Sequence, residues 1–132
     1  MMKRSSLLFF YCYIGFFSLV FADGAKPIIP MPNDEASILL LMKSSLVDPL
    51  NKLQDWKMAS ETRSVHCNWT GVWCNNGSFV EKLDLSNMNL SGIVSDHIQG
   101  LSSLAVLNLC NNGFETALPK SFANLTSLKI ID

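Results

Sequence analysis

Apolar residues recur at a fixed interval through the second half of the chain. Val80-x-x-Leu83-x-Leu85-x-x-Met88-x-Leu90 is followed by Leu104-x-x-Leu107-x-Leu109-x-x-Asn112-x-Phe114, and Leu128-x-x-Ile131 opens another copy. Leu83, Leu107 and Ile131 are 24 residues apart, as are Leu101 and Leu125. Inside each copy the alternation predicts a short strand that turns Leu83 and Leu85, then Leu107 and Leu109, inward. Lys82, Asp84 and Ser86 turn outward in the first copy, Val106, Asn108 and Cys110 in the second, Ile130 and Asp132 in the third. Asn112 is placed to pair backbone groups of the bend after the strand, whereas Met88 at the matching position is not equipped to do so. Ile98, Leu101, Phe122 and Leu125 close the far side of the core.

A period of this length with this signature marks a leucine-rich repeat. Stacked copies place their strands in one parallel sheet whose outward residues form a concave face. Lys82, Asp84, Val106, Asn108, Cys110 and Ile130 are therefore the candidate ligand contacts, with plain surface apolars as the alternative for Val106 and Ile130. For Cys110 the alternatives are a free thiol, an intermolecular crosslink, or a replaced surface serine without a role, which is the favoured one. The predicted architecture is an α/β solenoid with a capped N-terminal end. Repeats bury their leucines against neighbours, so the first has an open apolar flank.

Residues 33–79 have the materials to close that flank. Residues 33–47 predict a helix, with Asn33 or Asp34 as N-cap and Asp34 and Glu35 at the positive end of its dipole. Ala36, Leu39, Leu40, Lys43 and Leu46 form its apolar stripe, and Asp48-Pro49 ends it. Leu50, Leu53 and Trp56 continue the apolar face, and residues 57–64 read as a polar surface loop. Next comes His66-Cys67-Asn68-Trp69-Thr70-Gly71-Val72-Trp73-Cys74. In an exported chain a Cys67–Cys74 disulfide is the default, contributing about 2.5 kcal/mol by loop entropy. The competing metal site of His66, Cys67 and Cys74 lacks a fourth ligand at a standard spacing. Trp69 and Trp73 are expected to cover core leucines.

Export follows from the first segment. Residues 1–22 read as a signal peptide: Lys3 and Arg4, a low-polarity run over 7–21, and Val20-Phe21-Ala22 as the cleavage signal. Fifteen helical residues span only about 22 Å, short of a hydrocarbon core of about 30 Å. Residues 23–32 carry Pro27, Pro30 and Pro32 and form a linker. The chain has 132 residues and a net charge of −1; without the leader 8 basic residues face 11 acidic ones, giving −3. No basic stripe suits nucleic acid. Cys12 lies in the leader, and the three remaining cysteines suggest one pair and one free thiol.

The same residues resemble the N-terminal end of plant leucine-rich-repeat receptor-like kinases. The resemblance rests on Asp34-Glu35-Ala36 through Lys43-Ser44-Ser45-Leu46-Val47-Asp48-Pro49, Leu53-x-x-Trp56, and Cys67-x-Trp69-x-Gly71-Val72-x-Cys74. Leu83-Asp84-Leu85-Ser86, Leu90-Ser91-Gly92, Asn112 and Leu118-Pro119 follow its repeat consensus; Ser95 and Thr116 depart from it. It covers essentially the whole chain after the leader, and its wording is nearest to the PXY-like branch. It implies an extracellular ectodomain that binds secreted peptides or co-receptor kinases, with a later membrane span and cytoplasmic kinase. It also implies the Cys67–Cys74 pair. The expectation is a truncated ectodomain, two repeats complete and a third begun across residues 80–132, attached to a membrane only through parts beyond Asp132.

Four sequons at Asn68, Asn76, Asn89 and Asn124 make N-glycosylation the expected modification of a secreted chain. No cofactor is expected. His66 and His97 are the only histidines, and no nucleophile–base or phosphate-loop arrangement surrounds them. A secreted defence or inhibitor protein with the same repeat, and a gene fragment without function, are the alternative readings. Leu125, Leu128 and Ile131 have no following repeat, which predicts a frayed C-terminal end.

Overall fold

The structure is a computed structural model that describes residues 34–59, 64–114, 120 and 122. Its first element is helix α1, Glu35–Ser44. Asp34 is its N-cap: the backbone is extended, and Oδ1 accepts the Ser37 N–H at 2.8 Å. That satisfies one of the donors a helix start leaves orphaned. The helix is shorter than the expected 33–47, because Leu46–Val47 form strand β1 instead. β-Branched Val47 followed by Asp48-Pro49 disfavours further helix.

The buried face of α1 is Glu35, Ala36, Ile38, Leu39 and Met42. Ala36 and Leu39 match the expected stripe, while Ile38 and Met42 replace Leu40 and Leu46, which are only half-buried. The observed set follows the 35, 38, 39, 42 series, which carries the buried edge onto Glu35. Lys43 lies at the margin. Its ammonium donates to the carbonyls of Leu53 at 2.7 Å and Trp56 at 3.0 Å, tying the following loop to the helix. Asp48 holds the same loop from its other end, accepting the N–H groups of Lys52 and Leu53 at 2.9 and 2.8 Å. Leu53 and Trp56 are thereby buried, but the turn throws Leu50 into solvent, contrary to expectation.

A short 3-10 helix, Val65–Asn68, leads into β2, Val72–Cys74. The repeats supply β3 at Val80–Asp84, β4 at Ser91–Gly92, β5 at Val106–Asn108 and β6 at Gly113–Phe114. Between β4 and β5, a second 3-10 helix, Asp96–Gly100, packs against α1. Parallel pairing joins Lys82 to Val106, Leu83 to Leu107 and Asp84 to Asn108. Each pair is one 24-residue period apart, so the sequence period is the strand register.

The sheet is not wholly parallel, and it is not alone. β2 from the cap adds antiparallel to β3, giving the order β2-β3-β5, and a second three-stranded sheet runs β1-β4-β6. In that second sheet Leu46 of the cap pairs with Gly92 of the first repeat. Gly92 has φ of +91°, and a Cβ there would lie 2.5 Å from the Ser45 carbonyl oxygen. Glycine is thus required both for the backbone conformation and for the close approach.

Between the sheets and α1 lies one core. Leu83, Leu85, Leu90, Ile98, Leu101, Leu104, Leu107 and Leu109 are essentially inaccessible, and Phe122 is buried with them. Each such side chain contributes roughly 1.5–3 kcal/mol of apolar transfer. Leu125, Leu128 and Ile131, and with them the expected fraying, fall outside the described residues, as do the leader and the linker.

Candidate functional site

The outward face of the β2-β3-β5 sheet is built by strand alternation. Trp73 stands beside Lys82, and Lys82 beside Val106, forming one row across three strands. Asp84 and Asn108 form the next row. The Lys82 ammonium sits 4.7 Å from the centre of the Trp73 ring and 3.7 Å from Asp84 Oδ2. A cation over an indole and beside a carboxylate is held in place while staying accessible.

Trp73 corrects one expectation. It does not cover the core; it is half exposed, and Val72 takes the inward position of β2. The period-two alternation of a strand through Val72-Trp73-Cys74 was the signal for this. Trp69 does cover the core, stacked on Trp56 with ring centres 5.7 Å apart.

Asp84 and Asn108 also work locally. Asp84 Oδ1 accepts the N–H and hydroxyl of Ser86, and Asn108 Oδ1 accepts the Cys110 N–H at 3.0 Å. Each side chain turns the backbone two residues on, the usual Asx arrangement. Cys110 departs from its expected place. It is buried, so it is not an exposed contact on the concave face. Ile130 and Asn124 fall outside the described residues.

Asn112 does more than the expected turn closure. Its Oδ1 accepts the N–H groups of Met88 and Leu90 at 3.2 and 2.9 Å. Its Nδ2 is 2.7 Å from the Leu85 carbonyl, 3.1 Å from that of Leu109 and 3.2 Å from that of Cys110. The second repeat's asparagine thus completes the first repeat's bend, the task Met88 is unable to perform. Met88 itself packs half-buried against the core.

Sequons Asn68, Asn76 and Asn89 all expose their asparagine. Asn68 ends the first 3-10 helix, Asn76 lies in the turn between β2 and β3, and Asn89 takes a left-handed backbone, φ 55°, before β4.

A second cluster lies in the cap. Cys67 and Cys74 are joined by a disulfide with Cα atoms 5.4 Å apart, so in this state their sulfurs bind each other rather than a metal. His66 is buried beside them, its Nε2 3.6 Å from Cys67 Sγ and 3.7 Å from Glu35 Oε2. Glu35 Oε2 also accepts the Val80 N–H at 2.6 Å, while Oε1 is buried without a hydrogen bond. Desolvation raises the Glu35 carboxyl above its ordinary value, against the Val80 hydrogen bond. Desolvation lowers the His66 imidazole, against a backbone hydrogen bond at Ser78 and the charge of Asp34. The pair forms part of the lining of a cleft of about 450 Å³, with Asp34, Met58, Val65 and Phe79 as further walls. Glu35 read from the sequence only as a dipole partner of the helix; nothing in the spacing places it against His66.

Among the described residues no helix is long and apolar enough to cross a membrane. The leucine rich repeat N-terminal domain family matches residues 32–75, and the leucine rich repeat family matches residues 79–132. MDIS1-interacting receptor like kinase 1 of Arabidopsis thaliana is 54% identical over 129 residues, which is 98% of this chain and 12% of that protein. The chain thus spans a small part of that relative's length. The Arabidopsis receptor kinase HAESA, solved with the peptide hormone IDA and the co-receptor SERK1, superposes with a TM-score of 0.67 at 32% identity, covering 76% of this chain and 17% of that one. The BIR2 ectodomain from Arabidopsis thaliana gives a TM-score of 0.59 at 27% identity, covering 72% of this chain and 64% of that one. With its 24-residue register, its disulfide-bonded cap and these matches, the chain belongs to the leucine-rich-repeat proteins and is homologous to the N-terminal ectodomain region of plant leucine-rich-repeat receptor-like kinases.

Proposed function

We propose that this chain forms the cap-proximal part of an extracellular surface that binds secreted peptides or a co-receptor kinase. On this reading residues 33–79 close the end of the solenoid and residues 80–132 carry the repeats. The carrying observation is the registered pair of rows, Trp73–Lys82–Val106 and Asp84–Asn108, on the outward sheet face. It presents an aromatic plane, a fixed cation, an aliphatic side chain and polar groups, without any catalytic arrangement among them. The HAESA likeness supports it, since that receptor kinase is solved with a peptide hormone and a co-receptor.

Secretion with glycans on Asn68, Asn76 and Asn89 belongs to the same proposal, as all three are exposed. The test uses the full chain secreted from plant cells. Digestion with an N-glycan-removing enzyme should shift its mobility, and Asn→Gln changes at the three positions should reduce that shift stepwise. The purified chain is then incubated with the peptide fraction of extracellular fluid, and retained peptides are identified by mass spectrometry. Wild type should retain a discrete set that Lys82→Glu with Val106→Arg loses and Ser102→Glu, away from these rows, keeps. Retention indifferent to the outward face, or no retention, overturns the proposal.

A further inference from the structure

We propose that an N-glycan on Asn76 seats its first sugar against Phe79 in the cap cleft, which makes that glycan a packed part of the cap rather than a free surface chain. The proposal rests on the reading that Asn76 is glycosylated, and adds where the glycan lies and what it does there.

The turn from β2 to β3 holds its tip still. Asn75 donates its N–H to the Phe79 carbonyl at 2.8 Å, and its own carbonyl accepts the Ser78 N–H at 2.9 Å. Its side-chain Oδ1 accepts the N–H groups of Gly77 and Phe79 at 2.9 and 3.1 Å. One asparagine thus takes the donors of three successive residues. Asn76 stands next to it, exposed, at the tip. A group attached to Asn76 leaves from a fixed point, which lowers the entropy lost in placing it.

Phe79 lies beside that point. Its ring runs along Gly77: a Cβ on Gly77 would stand 3.1 Å from Phe79 Cδ2 and 3.3 Å from Cε2. Phe79 is 52% exposed, an unusual place for a phenyl ring fixed in a turn. With Met58 and Val65 it forms the apolar side of the cleft of about 450 Å³, and Asp34, Ser64 and His66 form the polar side. Gly77 and Ser78, the other two residues of the sequon, belong to the same wall. The volume falls within the range of about 300–1,000 Å³ common for small-ligand sites.

An N-acetylglucosamine has the chemistry for such a place. Its axial C–H groups form an apolar face that packs on an aromatic ring, and its hydroxyls and acetamide form hydrogen bonds around the edge. The tether selects this occupant over a free ligand. A sugar joined to the residue next to the cleft wall has a high effective concentration there. Attachment bonds the Asn76 amide nitrogen to the anomeric carbon of a lipid-diphosphate-linked oligosaccharide; the amide loses one proton and the lipid diphosphate leaves. The seated sugar then covers Phe79 and ties the β2–β3 turn to the start of α1.

The test uses the full chain carrying Asn68→Gln, Asn89→Gln and Asn124→Gln, secreted from cells that make only oligomannose glycans. Mass spectrometry first measures the glycan on Asn76. Chemical denaturation then compares the full glycan, the glycan trimmed by an endoglycosidase to one sugar, and Asn76→Gln. The full form should exceed Asn76→Gln in folding equilibrium constant by about threefold to tenfold, the range of one aromatic contact. The one-sugar form should keep that gain. Phe79→Ala should erase it and speed trimming of the folded chain, while Phe79→Tyr restores both. Ile93→Ala, which removes an equally exposed apolar side chain beside β4, should leave the gain intact. Phe79→Leu keeps apolar bulk without a ring and should lose most of the gain, which preserves the comparison if Phe79→Ala fails to fold. An unmodified Asn76 overturns both the modification reading at that residue and this proposal. A glycan present without a gain, or a gain that survives loss of the ring, overturns the seat alone and leaves the modification standing.

Discussion

The cap and the repeats solve the same problem by different means. Each must pair the backbone of an irregular segment while burying an apolar face. In the repeats a single side chain, Asn112, serves two successive bends, and the strands pair one period apart. In the cap every tie is made once: Lys43 to two carbonyls, Asp48 to two N–H groups, Asp55 to Thr70, Glu35 to Val80. The repeat solution extends by copying, whereas the cap solution ends the solenoid and cannot be copied. The two meet at β1–β4, at β2–β3 and where α1 packs on the second 3-10 helix, so a defect in either should reach the other through those three contacts.

The strongest test removes the centre of the cap. Trp56 is fully buried, stacks on Trp69 and donates from Nε1 to the Thr70 carbonyl at 2.9 Å. Trp56→Ala should cost about 3–5 kcal/mol. Chemical denaturation measures it, and hydrogen exchange should show the loss spreading to β2 before β5. Uniform loss across both strands would mean that cap and repeats unfold as one unit, which erases the distinction.

The matching test in the repeats is Asn112→Ala. It leaves the N–H groups of Met88 and Leu90 and the Leu85 carbonyl without their partner. The expected cost is about 2–3 kcal/mol, since each buried group left unpaired is expensive. Exchange at the Met88 and Leu90 amides should accelerate while Val80, held by Glu35, stays protected. Unchanged exchange at Met88 would remove Asn112 from its role in the first bend.

How much of this was legible in the sequence follows the same division. Leu83, Leu85, Leu107 and Leu109 are inward as their alternation requires, and the register could be counted from the spacing. Asp34 as N-cap and the Cys67–Cys74 pair were legible from local chemistry. The exposure of Trp73 was legible only through strand alternation, which its aromatic character obscured. Glu35 against His66 and Val80 was not legible, because contacts made once across 31 and 45 residues leave no periodic trace. Strand β1 was hidden for a related reason. Two residues after a helix acquire strand character only from their partners Ser91 and Gly92.

That junction supplies a smaller test. Gly92→Ala places a Cβ 2.5 Å from the Ser45 carbonyl at a backbone φ of +91°. Relief requires β4 to move away from β1, at a cost of about 1–3 kcal/mol for the strained conformation. Exchange at the Ile93 amide, which donates to the Ser45 carbonyl at 3.0 Å, should accelerate more than at Ala105, which donates to Glu81 at 2.8 Å within the repeat sheet. Equal acceleration would show that the two sheets are coupled more tightly than the cap–repeat contrast allows.

The finest test is pH, because the repeats have nothing like the Glu35–His66 pair among the described residues. Glu35 is raised by desolvation, so the folded chain holds its proton more tightly than the unfolded chain. Its contribution to stability is full below about pH 4.5 and is lost as pH rises through the raised folded value. His66 is lowered by desolvation, so its contribution is full above about pH 6.5 and is lost as pH falls toward the lowered folded value. The two slopes oppose each other. Glu35→Gln should remove the first and leave stability rising with pH through the histidine range; His66→Gln should do the reverse. Measured as unfolding midpoints between about pH 4 and 7, the two difference curves against wild type should have opposite signs of slope. Difference curves that are both flat would mean that the cap, like the repeats, gains nothing from a titrating pair.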